Sequence, residues 1–424
     1  MELCLRAQTP DGLSDEALKK GIIDMLNAHP AKKVLIIPPD FTRFFSKAGF
    51  ITNVCYHYYA AQGAHIDILP ALGTHVPLTR EQAAEMFGDI PYALFLTHNW
   101  RTDVVRLGAL SATYMQSITE GLWQEPVSVE VNRLVMDESY DLILSPGQVV
   151  PHEVIGMANH SKNLFVGVGG ADMINKSHMV GAVYGMERMM GKDHTPVRQM
   201  FDTALDAYLK ERPLLFLLTV TTAPGGEIRT HGLFAGAQRD ALEAAIALAQ
   251  QKNIDFVERG LKKCVVYLDP KEFKSTWLGN KAIYRTRMAM ADGGELIVLA
   301  PGVERFGEDA AVDALIRKYG YCGRLKVLEL FKKNDDLRQN MGAAAHLIHG
   351  SSDGRFCITY AVRDITQAEI AGVHFTPADY ESMAARYDPQ KLAHGYNTLP
   401  DGEEIFFIPN PALGLWIDKE RFNQ

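Results

Sequence analysis

Groups able to bind anions, move protons or ligate metals are concentrated in a few short stretches of this chain. Pro39-Asp40-Phe41-Thr42-Arg43 follows the apolar run Val34–Ile37 and sets a carboxylate three positions from a guanidinium in a loop. That pair suits a fork for a carboxylate or phosphate with an acidic partner; it equally suits a structural ion pair that caps the loop. Gly73-Thr74-His75 ends a second apolar run, and its imidazole is either available for chemistry or a plain polar loop residue. His98, in Thr97-His98-Asn99-Trp100, is ambiguous in the same way. The densest cluster is Pro151-His152, then Asn159-His160-Ser161-Lys162, then Ser177-His178. Neutral imidazole ligates nickel, zinc, copper or iron and serves as a general base near neutral pH. No HExxH spacing accompanies it, and the five cysteines form no CxxC pair. Lys162 precedes the apolar run Leu164–Val168 and is either a nucleophilic or attachment amine or a solvated lysine. Gly167-Val168-Gly169-Gly170 would let a phosphate approach backbone amides but lacks the GxGxxG dinucleotide fingerprint. Trp277 and Lys281 share one face if their segment is helical.

These groups need elements to position them. The spacing predicts strands over 33–37, 65–72, 140–144 and 164–168, with a helix from about 46 to 62, so that working residues fall just after strands. A second series begins with predicted strands at 263–268, 295–299, 327–330 and 356–361 and a helix over 281–290. An Ala-rich helix over 235–252 lies between the series. Alternation of this kind implies an α/β protein whose mostly parallel sheets are flanked by helices. The expected domains are 1–255, carrying the histidines and Lys162, and 256–424, whose last helix has room to pack back on the first. Ligand sites in such folds lie at the carboxyl ends of strands and in clefts, so the active site is expected in the interdomain cleft.

Of 424 residues, 47% are hydrophobic and 22% charged, enough for a sizeable core and unlike a disordered chain. The net charge of −8 and the absence of a dense Lys/Arg run argue against a nucleic-acid partner. No apolar stretch has membrane-spanning length, and the N-terminus lacks a signal-peptide layout. The expectation is a cytoplasmic protein with reduced thiols and no membrane partner.

In their order and spacing these segments resemble the nickel-pincer lactate racemase family, whose members racemise or epimerise 2-hydroxy acids. Pro39-Asp40-Phe41-Thr42-Arg43 is similar to the family's Asp-x-Thr-Arg loop, Gly73-Thr74-His75 to its Gly-Thr-His loop, and Pro151-His152 to its Pro-His segment. Lys162 falls where the family carries its cofactor, His178 where it places a nickel-ligating histidine, and Lys281 where it has a substrate-pocket lysine. The chain departs from the pattern at His160-Ser161, where a Gly-Gly pair is usual, at Val76, where arginine is common, and at Trp277, where tyrosine is often seen.

The resemblance implies a nickel-pincer nucleotide joined to Lys162, with the metal held by cofactor atoms and His178. Asp40 and Thr42 would contact the cofactor or orient a histidine, while Arg43, Lys281 and Trp277 would contact substrate. His75 and His152 would be the acid–base pair. Removing a proton beside a carboxylate creates a carbanion next to an anion, whereas moving hydrogen as hydride leaves a neutral ketone, which favours a redox-style racemisation. Expected substrates are lactate-like acids, malate or sugar acids such as gluconate, and expected partners are the cofactor-synthesis enzymes. Two other readings are a histidine-rich metal-dependent hydrolase or lyase and a binding protein that uses the fold without chemistry.

Overall fold

A computed structural model describes residues 1–422. They divide into two compact units, Met1–Val180 with Met190–Asn253, and Gly181–Met189 with the chain from Ile254 onward.

The first unit is built on a six-stranded sheet. Its strands are β1 (Leu3–Arg6), β2 (Lys33–Ile36), β3 (His65–Ile68), β4 (Leu142–Gln148), β5 (Leu214–Thr222) and β6 (Arg229–Gly236), in the spatial order β1-β6-β5-β4-β2-β3. The pairs β2–β3, β2–β4 and β4–β5 are parallel, and β6 runs antiparallel to both β5 and β1. Val34, Ile36, Ile68, Leu144 and Leu217 are buried together in the core on this sheet, packed by Leu18, Ile22 and Leu26 of the helix Asp15–Leu26. Apolar runs buried on both faces are what a helix-covered parallel sheet requires. The consequence for function is geometric: β3, β2 and β4 are parallel neighbours, so the loops that follow them emerge side by side.

The second unit has its own six-stranded sheet of β7 (Leu261–Tyr267), β8 (Met290–Ala300), β9 (Cys357–Val362), β10 (Thr376–Asp379), β11 (Gly395–Thr398) and β12 (Glu404–Ile408). The order is β10-β9-β8-β7-β12-β11, parallel throughout except for the β11–β12 pair. Val265, Ile297, Leu299, Ala361 and Phe407 form a core on it. The last described helix, Lys419–Phe422, belongs to this unit, and the Phe422 ring meets Phe256 edge-on. Both sheets match the mixed, mostly parallel α/β architecture expected from the alternation of periods.

Two expected strands are helical. Residues 164–168 are not a strand: Asn163–Gly167 form a buried π-helical turn closed by a bond from Val168 N to Asn163 O. The Asn163 amide donates to Ile37 O at 3.0 Å and to Ser145 Oγ at 3.1 Å, pinning the turn to the end of β2 and the middle of β4. A short apolar run has no period of its own, so only these tertiary anchors select the turn. Residues 327–330 lie inside the helix Arg324–Lys333, of which Val327 alone is buried. The Leu, Lys and Glu around Val327 are helix formers, and an isolated buried residue gives a strand no face to bury. The helix expected over 235–252 runs over Arg239–Lys252 because residues up to Gly236 complete β6. Among the described residues no helix is long and apolar enough to cross a membrane.

Within the second unit, the fully buried Arg287 guanidinium ties distant segments together. It donates to Glu187 Oε1 at 2.7 Å, Asp353 Oδ2 at 3.0 Å and Ser351 O at 3.1 Å. Burial works against a charged Glu187, but the charges and hydrogen bonds of Arg287, with Arg355 beyond, outweigh it and hold the carboxyl below its ordinary range. Arg287→Met takes the shared guanidinium from two carboxylates, of which Glu187 keeps only Arg355 at 3.5 Å, and should destabilise this unit by about 3 kcal/mol. Because Glu187 is depressed in the folded state, the wild-type advantage is full above its unfolded value near 4.5 and is lost as pH falls through the folded value. Urea unfolding at pH 7 and at pH 4, read by hydrogen exchange of peptides after residue 254, checks both the magnitude and the narrowing gap.

Candidate active site

The loop after β2 is organised by Asp40. Its Oδ1 caps the 3-10 turn Phe41–Ser46, accepting from Thr42 N at 3.0 Å and from the Thr42 hydroxyl at 2.5 Å. Its Oδ2 accepts from His75 Nδ1 at 2.5 Å, so one buried carboxylate joins the loops after β2 and β3. Burial alone would raise the Asp40 pKa; the His75 hydrogen bond and charge, the Thr42 hydroxyl and Arg43 prevail and lower it. Asp40 therefore caps its own loop and orients the His75 ring, its ion-pair partner being His75. Pinning the proton on Nδ1 leaves the lone pair of neutral His75 on Nε2, and the ring is 58% exposed. Gly73 makes this loop possible: it sits at φ +57°, and its N–H donates to Gly167 O at 2.8 Å.

After β4 the chain forms a small hairpin in which Pro151–His152 pair antiparallel with Gly156–Met157. His152 is buried, and its Nδ1 accepts from Val154 N–H at 3.1 Å. A neutral ring held this way carries its proton on Nε2. His75 and His152 thus present opposite faces of imidazole chemistry, a lone pair on one and an N–H on the other.

Lys162 follows two consecutive left-handed residues, Asn159 at φ +69° and His160 at φ +58°. Non-glycine residues there cost on the order of 1 kcal/mol each, and such strain is kept where surrounding structure over-determines it. Gly147 is part of that structure, because a Cβ there would lie 1.7 Å from the Asn159 amide nitrogen. His160, the departure noted in the sequence, is fully buried on Phe216 with ring centroids 3.9 Å apart. Neither of its ring nitrogens has a hydrogen-bond partner, and burial drives its pKa well down. The Lys162 amine is itself pushed down to about 8, first by burial and then by the Arg43 charge, with Glu153 and Asp40 opposing and Arg198 adding to the depression. A substantial neutral fraction near neutral pH makes it a competent nucleophile.

His178, on the helix Ala171–Tyr184, donates from Nδ1 to Ile174 O at 2.7 Å, which leaves the Nε2 lone pair for a metal. Its pKa is lowered by burial foremost; the Ile174 carbonyl and Glu153 oppose this, while the Lys162 and His75 charges add to it. Arg43, Asp40 and Glu153 are close enough to act on Lys162, and Lys162, Glu153 and His75 close enough to act on His178, which places these groups in one region of the first unit. Among the described residues no three His, Cys, Asp or Glu side chains converge as a metal-ligand set. A metal here would need donors from a bound group beside His178. One imidazole with a fixed tautomer next to a depressed lysine fits a tethered, metal-carrying cofactor.

The remaining expectations divide. His98 is a satisfied structural histidine, buried between Gly169 O at 3.1 Å and the Asn132 amide at 3.0 Å. Gly169 and Gly170 serve close packing, since a Cβ on either would meet Phe165 O or the Glu130 carboxylate within 2.0 Å. Trp277 and Lys281 lie in the second unit on two short helices, Thr276–Gly279 and Lys281–Thr286. The Trp277 ring rests on His346 at 4.4 Å, and the Lys281 ammonium is 5.7 Å from the Phe273 ring centre. Sequence reasoning missed Glu153 and Arg198. Glu153 adjoins a singled-out histidine; Arg198 had only its i,i+4 spacing to Asp202 as a signal.

Residues 15–190 match the family model described as the lactate racemase N-terminal domain. Among solved structures, a Thermotoga maritima protein from a structural genomics consortium shares 23% identity, with a TM-score of 0.80 over 98% of this chain and 100% of that one. The lactate racemase apoprotein from Thermoanaerobacterium thermosaccharolyticum shares 16% identity, with a TM-score of 0.72 over 96% of this chain and 93% of that one. At these identities the likeness is one of fold. No curated protein sequence matches.

The tautomers are directly testable. In spectra of protein labelled with ¹⁵N-histidine, neutral His75 and His178 should carry the proton on Nδ1 and His152 on Nε2. Asp40→Asn should release the His75 tautomer while leaving the other two in place; a simultaneous change at His152 would contradict the separate anchoring described here.

Proposed function

We propose that this protein racemises or epimerises 2-hydroxy acids, with a nickel-pincer nucleotide joined to Lys162, a reading supported by the match of residues 15–190 to the lactate racemase N-terminal domain model. The observation that carries the reading is the opposite proton placement on His75 and His152, set by Asp40 on one side and by Val154 N–H on the other. Oxidising a hydroxyl-bearing carbon and reducing it again calls for one group that takes the hydroxyl proton and holds it for return, and for a donor that steadies the oxygen between the two steps.

Arg43 receives the substrate carboxylate, its planar fork matching that anion better than an ammonium would. The Nε2 lone pair of His75 takes the hydroxyl proton, and the imidazolium that results is held by the Asp40 carboxylate. When bound, the cofactor would supply an electron-poor ring able to take up and give back the C2 hydrogen as hydride. His152 donates a hydrogen bond from Nε2–H to the carbonyl oxygen of the 2-keto acid, and the His75 imidazolium returns its proton to that oxygen as C2 is reduced again. Lys162 holds the cofactor, and His178 would be its protein ligand to nickel. The substrate contacts assigned to Lys281 and Trp277 belong to the same proposal, as do lactate-like acids, malate or gluconate-like sugar acids as substrates. Maturation by cofactor-synthesis enzymes in the cytoplasm completes it.

The deciding experiment co-expresses the protein with cofactor-synthesis enzymes and reads intact mass and bound nickel. Wild type should carry an adduct and nickel, and Lys162→Ala neither; an unmodified wild-type chain would overturn the proposal. With the adduct retained, His75→Gln and His152→Gln should each lower turnover of a responsive 2-hydroxy acid by roughly 10²–10⁴-fold.

A further inference from the structure

Beneath the Lys162 loop lies a buried ionic network that the proposed chemistry does not use. Arg198, 1% exposed on the helix Pro196–Tyr208, donates from one terminal nitrogen to Met157 O at 2.6 Å and Asn159 O at 3.2 Å. From the other it donates to Ser161 Oγ at 2.9 Å. The fully buried Ser161 hydroxyl donates in turn to Asp202 Oδ1 at 2.7 Å. Asp202 also takes the Arg239 guanidinium, which reaches Asp193 at 2.6 Å and Glu243 at 3.2 Å. One guanidinium therefore holds acceptors at 157, 159 and 161, on both sides of the left-handed pair Asn159–His160. On the opposite side the His160 ring is wedged against Phe216 with no polar partner for either nitrogen.

We propose that Arg198, Ser161 and Asp202 are positioning residues that lock the Asn159–His160 turn and so set the Lys162 amine in the pose from which it takes its cofactor. This rests on the reading of Lys162 as the attachment point. The chemistry explains the arrangement. A left-handed pair without glycine relaxes unless its carbonyls are held, and relaxation redirects the next residues, Ser161 and Lys162. A planar fork spreads its donors over two terminal nitrogens and so reaches acceptors on both sides of the turn, whereas the three donors of an ammonium radiate from one atom. His160 contributes bulk and a stacking face, not proton transfer.

The test uses the full chain without cofactor and measures acylation of each lysine against pH by peptide mass spectrometry. Wild-type Lys162 should react with a midpoint near 8, far below the surface lysines. Ser161→Ala removes the bridging hydroxyl with little change in volume. It should move the Lys162 midpoint upward by at least about half a pH unit, with other lysines unchanged, as the amine regains water and leaves Arg43. Arg198→Lys keeps the charge but loses the fork and should do the same. His160→Phe keeps the wedge and should leave the midpoint in place. In co-expression, Ser161→Ala should show a several-fold lower adduct fraction when normalised to folded protein. A folded Ser161→Ala chain with the wild-type midpoint overturns the inference, as does a His160→Phe chain with a shifted one. If wild type takes no adduct, the attachment reading fails, while the labelling midpoints still decide whether the clamp sets the amine.

Discussion

An ammonium taken out of water beside a guanidinium loses solvation and gains repulsion, and the first unit holds Lys162 under both conditions. Most of what surrounds the site follows from that constraint. Asp40 and Glu153 bring opposing charge close enough to limit the penalty, yet the amine still titrates near 8. Asp40 cannot move closer to serve Lys162 alone, because its two oxygens are already committed to the Thr42 turn and the His75 ring. The backbone that carries Lys162 is held by contacts other than those of the amine, so the lysine need not make a stabilising contact to stay in place.

The sheet converts this local arrangement into a site. With β3, β2 and β4 as parallel neighbours, their following loops deliver His75, Asp40–Arg43 and the Pro151–His152 hairpin to one end of the sheet. Parallel order makes this possible, since an antiparallel neighbour would send its loop to the opposite end. Asn163 closes the arrangement from below by bonding to both Ile37 O and Ser145 Oγ. Loops placed on a rigid sheet can be strained, and here the strain gathers at Asn159–His160, immediately before the reactive lysine.

The histidines show how alike side chains are given different tasks. His75 is pinned by a carboxylate, His152 by a backbone N–H and His178 by a backbone carbonyl. Each anchor selects a tautomer, and so decides whether the second nitrogen offers a lone pair or a proton. His98 is filled on both nitrogens by Gly169 and Asn132 and has nothing left to offer. His160 has no anchor and is used as a packed ring.

Residue type and spacing alone were enough to mark Asp40, Arg43, His75, His152, Lys162 and His178, because each follows an apolar run or belongs to a dense polar cluster. The α/β alternation was legible for the same reason: apolar periodicity is a local property that burial of one face imposes on the chain. What local pattern cannot hold is the identity of a partner far away in the chain. The turn at 163–167 and the helix over 324–333 escaped it, the first because its form depends on Ile37 and Ser145, the second because a short apolar run fits either period. The tautomers of His75 and His152, the emptiness of His98 as a catalyst and the hold of Arg198 on the Lys162 loop were likewise decided in three dimensions. A proton's place on an imidazole depends on which acceptor or donor lies within hydrogen-bond reach, and that is set by how strands neighbour one another in the sheet.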